Sequence, residues 1–109
     1  MDDNVLDTIK KLLGITNEYI HFDLDIITHI NSVLSILRQL GVKGEKILID
    51  ESTTWSDIIP EGYDLELMKS FIYLKVRLLF DPPNNSFLVE SINKILAEFE
   101  WRLHVEVDR

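Results

Sequence analysis

Two aspartates and a histidine are the residues whose types and spacing come nearest to a chemical site. Asp25 and His29 are four residues apart and would share one face of a helix, and Asp23 lies two residues before them. Carboxylate oxygens and imidazole nitrogens both bind zinc, so this face could hold a metal if other segments supplied further ligands. Two ligands do not make a site. Asp23 as a helix N-cap and an exposed pair of Asp25 with His29 explain the same residues without a metal, and we favour that interpretation.

Recognisable catalytic motifs are missing from the sequence. It contains no glycine-rich phosphate loop, no His-Glu-x-x-His zinc motif, no nucleophile elbow and no dinucleotide-binding fingerprint. The other histidines, His21 and His104, are far apart in sequence, and there is no cysteine to form a disulfide or a thiolate metal site. We therefore expect a protein that is not an enzyme and that uses no cofactor.

The composition is that of a folded acidic protein. Hydrophobic residues make up 46% of the 109 residues, enough for one core, and we expect a single domain over residues 1–109. Nineteen acidic against eleven basic residues give a net charge of −8, which opposes tight binding to nucleic-acid phosphates. Charged residues interrupt every apolar run well before the roughly 20 residues that a membrane span needs, so we expect no membrane insertion. We expect the chain to fold in the cytoplasm.

Apolar residues at helical spacing predict an all-α fold, a small bundle of about four helices. The helices are expected over residues 4–13, from residue 23 to a stop at residue 41, and over about residues 65–80 and 86–103. Gly14 and Gly41 stand where left-handed residues end helices. Residues 103–108 alternate apolar and polar side chains, which indicates either a strand that pairs with another subunit or a frayed end.

A long irregular segment, residues 41–63, separates the second and third predicted helices, and we call it the arm. The apolar triplet at residues 47–49 is compatible with a short β-strand or hairpin. Loops of this length in compact domains tend to be functional or mobile, so Ile47, Ile49 and Trp55 are candidates for contact with a partner. The alternative is a plain surface loop whose Trp55 folds back to plug the core.

The third predicted helix is apolar around more than half of its circumference. Only a stripe through Glu66, Lys69, Tyr73 and Arg77 is polar. A helix this apolar is normally buried on two sides, so it is the central helix of the bundle, or one side meets another subunit, or both. We take Phe71, Tyr73 and Arg77 as candidate interface residues. Trp101 joins them, because it lies off the apolar face of the fourth helix and tryptophan often anchors interfaces.

A double proline cuts the chain between the third and fourth helices. Pro82 and Pro83 have no N–H to continue the helical ladder, and proline disfavours helical geometry in the residue before it. The helix should therefore end near Phe80 or Asp81. Asn85 or Ser86 can then cap the next helix, which makes residues 80–86 a stiff corner.

The run from residue 73 to residue 87 resembles the head-tail connector, or adaptor, proteins of tailed bacteriophages and their prophages. The likeness extends over most of the chain through Leu13-Gly14-Ile15-Thr16, Gln39-Leu40-Gly41-Val42, Trp55 and Glu100-Trp101-Arg102-Leu103. One departure is Lys43, which stands before Gly44 where the family pattern has a glycine directly after Val42.

This resemblance implies a structural role in virion assembly. Such proteins form a ring, of about a dozen copies, below the portal protein, where they extend the DNA channel and dock the next connector or the tail. It implies residence at the head-tail junction of the virion after synthesis in the bacterial cytoplasm, passage of DNA without specific binding, and no catalytic residue. With a net charge of −8 per copy, we expect stable rings to need the portal as a template or high salt.

A second interpretation remains open. A small acidic domain could instead be a regulator that occupies a host protein, for example by imitating nucleic acid. Only the net charge and the small size favour this interpretation. The purified chain would then inhibit a DNA-binding host enzyme, whereas a connector protein would leave that enzyme unaffected.

Overall fold

The computed structural model describes residues 3–107, with the backbone alone for Glu106 and Val107. Five helices account for most of these residues: α1 (Val5–Leu13), α2 (Asp23–Gln39), α3 (Trp55–Ile58), α4 (Leu65–Phe80) and α5 (Ser86–Val107). Within residues 3–107 there is no strand, and the extended backbone pairs only in an isolated bridge between Asn4 and Thr54. The predicted all-α bundle is confirmed, with one short helix more than the sequence pattern indicated.

Helix α4 is the centre of the bundle. It packs against α1, α2 and α5, and its fully buried side chains recur at positions i, i+3, i+4 and i+8, which form one face of the helix. These side chains are Met68, Phe71, Ile72 and Val76. Leu67, Leu74 and Leu78 beside that face are half-buried against the core, whereas Leu79 is 53% exposed, so most of the apolar circumference of α4 is used within the chain. Within the described part of the chain, no helix is both long enough and apolar enough to cross a membrane.

The chain leaves helical structure at the double proline between α4 and α5. Helix α4 ends at Phe80, and Asp81 leaves helical geometry after its N–H donates to the Arg77 carbonyl at 2.9 Å. Two prolines follow, and Asn85 rather than Ser86 then caps α5. The Oδ1 atom of Asn85 accepts from the amides of Phe87 and Leu88, at 2.8 and 3.3 Å. Five residues, 81–85, separate α4 from α5, and a salt bridge of 3.4 Å between Lys75 and Glu100 joins the two helices.

The start of α2 differs from the prediction. Phe22 occupies the N-cap position without a side-chain cap, and Asp23 is already the first helical residue. The expected N-cap role of Asp23 is wrong because its carboxylate is engaged elsewhere, by Lys10 of α1. The end of α1 follows the prediction: Gly14 adopts a left-handed φ of 84°, and its N–H donates to the carbonyls of Lys10 and Lys11.

Helix α5 extends through residues 103–107, for which the sequence indicated either a strand or a frayed end. Residues 103–107 continue the helix, and Asp108 lies outside the described residues. Leu103 is fully buried and falls on the same face as Ile92 and Leu96, one heptad further along. Extending an existing helix needs no new nucleation, so a short alternating pattern yields to a helix that already buries its next apolar residue.

The arm folds onto the core. Trp55 begins α3 and is buried, and its indole Nε1 donates to the Thr8 hydroxyl of α1 at 3.1 Å. Gly44 lies so close to the Ile58 carbonyl that a Cβ atom would overlap it. Residues 47–49 form no strand; Ile49 is buried, and its amide donates to the Asn31 side chain of α2 at 2.8 Å. Of the two alternatives for Trp55, the structure therefore contains the second, in which the side chain folds back into the core.

Candidate interaction surfaces

The residues considered for metal chemistry lie around a buried lysine. Lys10 of α1 is only 1% exposed, and its ammonium lies 2.8 Å from Asp23 Oδ1. This contact is an ion pair and not a hydrogen bond, because its angles are unsuitable for a hydrogen bond. The same ammonium donates to the carbonyls of Asn17 and Tyr19 at 3.1 and 2.8 Å. Two hydrogen bonds to carbonyls and one ion pair therefore hold the ammonium group. No group of three or more residues of the metal-binding types lies together within residues 3–107.

Lys10 fixes the α1–α2 loop, residues 14–22, to the start of α2. Its ammonium donates to two loop carbonyls, and its ion-pair partner Asp23 is in the first turn of α2. Aromatic rings extend this junction to the corner, since the Phe22 ring contacts Tyr19 and Phe80 at centroid distances of 5.7 and 5.2 Å. The His29 ring also lies 6.2 Å from Phe80. The loop, the start of α2 and the end of α4 therefore form one end of the bundle.

That end carries exposed apolar side chains beside carboxylates. Ile20 and Leu24 are 72% and 76% exposed, and Tyr19 is about half exposed. Glu18 and Asp25 are exposed next to them in the chain, and neither carboxylate has an ion-pair partner among the described residues. We name the surface formed by these five residues the acidic end.

The opposite end of α2 carries a second surface of the other sign. Ile47 and Leu48 are 64% and 63% exposed, and Arg38 in the last turn of α2 donates from Nη1 to the Ile47 carbonyl at 2.9 Å. Lys43 and Lys46 flank these residues and are also exposed. We name these five residues the arm tip.

The backbone beside the arm tip is stiffened by an aspartate turn. Asp50 accepts from the hydroxyl and the amide of Ser52 and from the Thr53 hydroxyl, at 2.8–3.0 Å. These hydrogen bonds, those of Ser52 first, stabilise the carboxylate and lower the pKa of Asp50 from 3.8 to about 2. The exposed Lys46 ammonium, 4.0 Å away, adds a smaller effect in the same direction. Asp50 is therefore a structural anion of the arm.

The polar stripe of α4 faces a groove alongside α1. The groove encloses about 920 Å³, and Glu66, Lys69 and Tyr73 form its α4 wall. A smaller adjoining groove of about 270 Å³ is lined by Tyr73 and Arg77, which are joined by a 3.4 Å hydrogen bond. The predicted candidates Tyr73 and Arg77 are thus half-buried groove walls.

The remaining predicted interface residues divide by burial. Ile47 is at the exposed arm tip, and Trp101 is 66% exposed on α5, where the Glu98–Arg102 ion pair of 2.7 Å lies beside it. Ile49, Trp55 and Phe71 are packed inside the chain, and we do not retain them in the proposed interface. The arm residues are buried because the arm folds onto α1 and α2, which involves contacts between residues far apart in sequence.

The three large apolar side chains that are most exposed among the described residues were not among the candidates chosen from the sequence; they are Leu24, Ile20 and Phe87. Leu24 lies off the apolar stripe of α2, a signal that a helical projection contains. Phe87, in the first turn of α5, is 71% exposed and likewise lies away from the buried face of its helix. Ile20 belongs to a loop without periodicity, so no sequence signal marks it. Lys10 was missed because a lysine on an apolar helix face is ordinarily taken as polar and exposed.

Comparison with known proteins identifies the family. A family model described as phage connector protein matches residues 5–109, which includes all five helices, the arm and the corner. No curated protein matches the chain. No solved structure matches it either. The family match confirms the resemblance found in residues 73–87, and the chain belongs to the phage connector protein family.

Proposed function

We propose that this chain is a structural head-tail connector that forms a ring below the portal and joins the DNA-filled head to the tail. The observation that carries the proposal is the family match over residues 5–109. The ring extends the DNA channel and presents a docking surface to the next connector or to the tail. Residues 1–109 act as one domain, and the chain contributes structure rather than catalysis.

The fold supports this proposal by supplying a stiff scaffold with unlike surfaces. The double-proline corner and the buried face of α4 hold α4 and α5 in one arrangement. Exposed apolar residues remain at both ends of α2 and on α5. Contacts between unlike surfaces of identical subunits close into a ring when the rotation per subunit closes.

The charge supports a channel past which DNA moves without binding. A net charge of −8 per copy repels phosphates, and a ring of many copies multiplies that repulsion. The same charge repels the subunits from one another, so the free chain at low salt is monomeric and rings form on the portal or at high salt. Native mass spectrometry at micromolar concentration tests this, and a ring that is independent of salt would contradict it.

The decisive experiment is complementation of particles that lack this chain. Packaged heads with the portal are prepared from a phage in which the gene is deleted, and they are mixed with the purified chain and then with purified tails. We expect joined particles in electron micrographs only when the chain is present, with a ring at the portal. Normal virions from the deletion phage would refute the proposal. Inhibition of a DNA-binding host enzyme by the chain, without any effect on joining, would favour the acidic-regulator interpretation instead.

A further inference from the structure

We propose that neighbouring copies of this chain contact one another head to tail, with the arm tip of one copy seated on the acidic end of the next. The inference rests on the proposed function, because it names the contact by which a ring would close. It commits to a second copy of this chain as the occupant of both surfaces.

The two surfaces lie at opposite ends of one rigid element. Leu24 is in the first turn of α2 and Arg38 in its last turn, so they are about 21 Å apart along the helix axis at 1.5 Å per residue. The Arg38 hydrogen bond holds the Ile47 carbonyl at the second end. A subunit with complementary surfaces at its two ends can bind a further copy at each end, which is the requirement for a ring.

Both surfaces expose apolar side chains that the chain itself leaves uncovered. Ile47 and Leu48 project from an arm whose neighbouring apolar residues are buried. Ile20 and Leu24 project in the same way from the acidic end. Burying such side chains between two copies removes apolar surface from water, at roughly 25 cal/mol per Å².

The charges around the apolar residues are of opposite sign. Residues 38–48 contain three basic side chains, Arg38, Lys43 and Lys46, against one acidic side chain, Glu45, and of the three only Lys46 has a carboxylate within ion-pair distance among the described residues, that of Asp50 at 4.0 Å. Residues 14–25 contain no lysine or arginine, and of their three carboxylates only that of Asp23 is paired, with Lys10. Complementary charges at the rim of an interface fix its register and steer association. The exposed face around Trp101 offers no such match, since its nearest charges, on Glu98 and Arg102, already pair with each other.

Each surface is held in shape before contact. At the arm tip, the Lys46 amide donates to the Asp57 carbonyl of α3 at 2.9 Å, and Gly44 packs against the backbone of Ile58. At the acidic end, the Lys10 ammonium fixes the loop that carries Tyr19 and Ile20. Rigid surfaces lose little conformational entropy on binding, and this favours association of two copies even through a small contact.

The contact is small, which agrees with assembly on a template. Stable interfaces use about 20–30 residues on each side, several times the five residues of either surface. We therefore expect weak pairwise association in solution and a closed ring only where the portal gathers many copies and each copy gains two contacts.

Cysteine cross-linking tests the contact directly, because the chain contains no cysteine. Ile20→Cys and Leu48→Cys are made singly and together, and each protein is bound to portal-bearing heads and treated with a bismaleimide. A mixture of the two single variants should give a cross-linked dimer, and the double variant a ladder of higher oligomers. The matched control pairs Leu48→Cys with Ser35→Cys, an exposed position on α2 that is 11 residues after Leu24, and should give at least about tenfold less dimer.

The outcomes separate this contact from the proposed function. Joined heads and tails without the Ile20 to Leu48 cross-link would overturn the contact and leave the connector role standing. Failure of the wild-type chain to join heads and tails would overturn the connector role itself. A double variant that stops at a cross-linked dimer would mean that the two surfaces pair reciprocally, and it would overturn head-to-tail assembly.

Charge reversal provides an independent test in the same joining assay. Lys43→Glu with Lys46→Glu makes the arm tip acidic, and Glu18→Lys with Asp25→Lys makes the acidic end basic. Either doubly substituted protein alone would place like charges at every contact, so joining should fall at least about tenfold. In an equal mixture, a ring in which the two proteins alternate brings opposite charges together at every contact and should recover joining. No recovery, with both proteins melting like wild type, would contradict the proposal.

Discussion

Lys10 offers a sharp test of how the acidic end is held. The substitution Lys10→Met keeps the length of the side chain but removes the ammonium group that meets Asp23 and the carbonyls of Asn17 and Tyr19. The change leaves a carboxylate and two backbone acceptors without their donor, while the apolar part of the side chain still fills its space. We therefore expect the fold to lose stability and the α1–α2 loop to lose order.

The size of the loss follows from the burial of each partner. Removing one partner of a buried ion pair typically costs about 3–5 kcal/mol. The side chain of Asp23 is 22% exposed, and the loop is at the surface, so water can replace part of the lost bonding. We expect the free energy of unfolding to fall by about 3 kcal/mol, the lower end of that range, and the melting temperature to fall by roughly 10 °C or more.

Urea unfolding followed by circular dichroism measures this loss, with hydrogen exchange at the Tyr19 and Ile20 amides as a local measure of loop order. The control is Lys11→Met, which changes the adjacent exposed lysine and should alter stability by less than about 0.5 kcal/mol. Adding Asp23→Leu to Lys10→Met should recover part of the loss, because no buried carboxylate is then left unpaired. Equal stability of the two lysine variants would refute the role assigned to Lys10.

Three further predictions concern the arm and the tryptophans. Gly44→Ala should lower the free energy of unfolding by about 1–3 kcal/mol in urea titrations, because its Cβ would overlap the backbone of α3. Trp55→Ala should cost about 3–5 kcal/mol, whereas Trp101→Ala should leave the melting temperature nearly unchanged and reduce only the joining of heads to tails. For Asp50, the folded-state pKa of about 2 lies below the unfolded value of 3.8, so the stabilisation by its carboxylate is present above about pH 4 and is lost as the pH falls through about 2. Asp50→Asn should remove that part of the acid dependence.

Each of these predictions has a contrary result. A Gly44→Ala protein as stable as wild type would mean that the arm does not pack against α3 as described. Similar melting temperatures for the two tryptophan variants would contradict the opposite burial of the two side chains. Acid unfolding curves for wild type and Asp50→Asn that keep the same separation from pH 5 to pH 2 would contradict the lowered pKa of Asp50.

The parts of the fold that follow from local chemistry were predictable. The prolines end α4 wherever the rest of the chain lies, and Asn85 caps α5 with its own side chain. Gly14 ends α1 through its left-handed backbone. These features involve residues within a few positions of one another, so the sequence around each one is enough to predict it.

The parts that depend on distant contacts were not predictable. Whether Trp55 meets a partner or the core depends on Thr8, 47 residues away. The sequence around Asp23 fits an N-cap, and only the approach of Lys10 from α1 shows that its carboxylate is in an ion pair instead. The candidate surfaces divide in the same way. The exposure of Leu24 can be predicted from the helical pattern of α2. The exposure of Ile47 and the burial of Ile49 depend instead on how the arm lies on α2.

The opposite surroundings of the two tryptophans give this chain two built-in optical probes. Trp55 is shielded from water and lies with its ring 5.6 Å from the Lys69 ammonium, and we expect its fluorescence to be at short wavelength in the native chain and to shift to the red on unfolding. Trp101 is 66% exposed, so we expect its emission to start at long wavelength and to shift to the blue, or to be quenched, if a neighbour covers α5. Folding and covering of α5 could therefore be timed separately in one unlabelled sample.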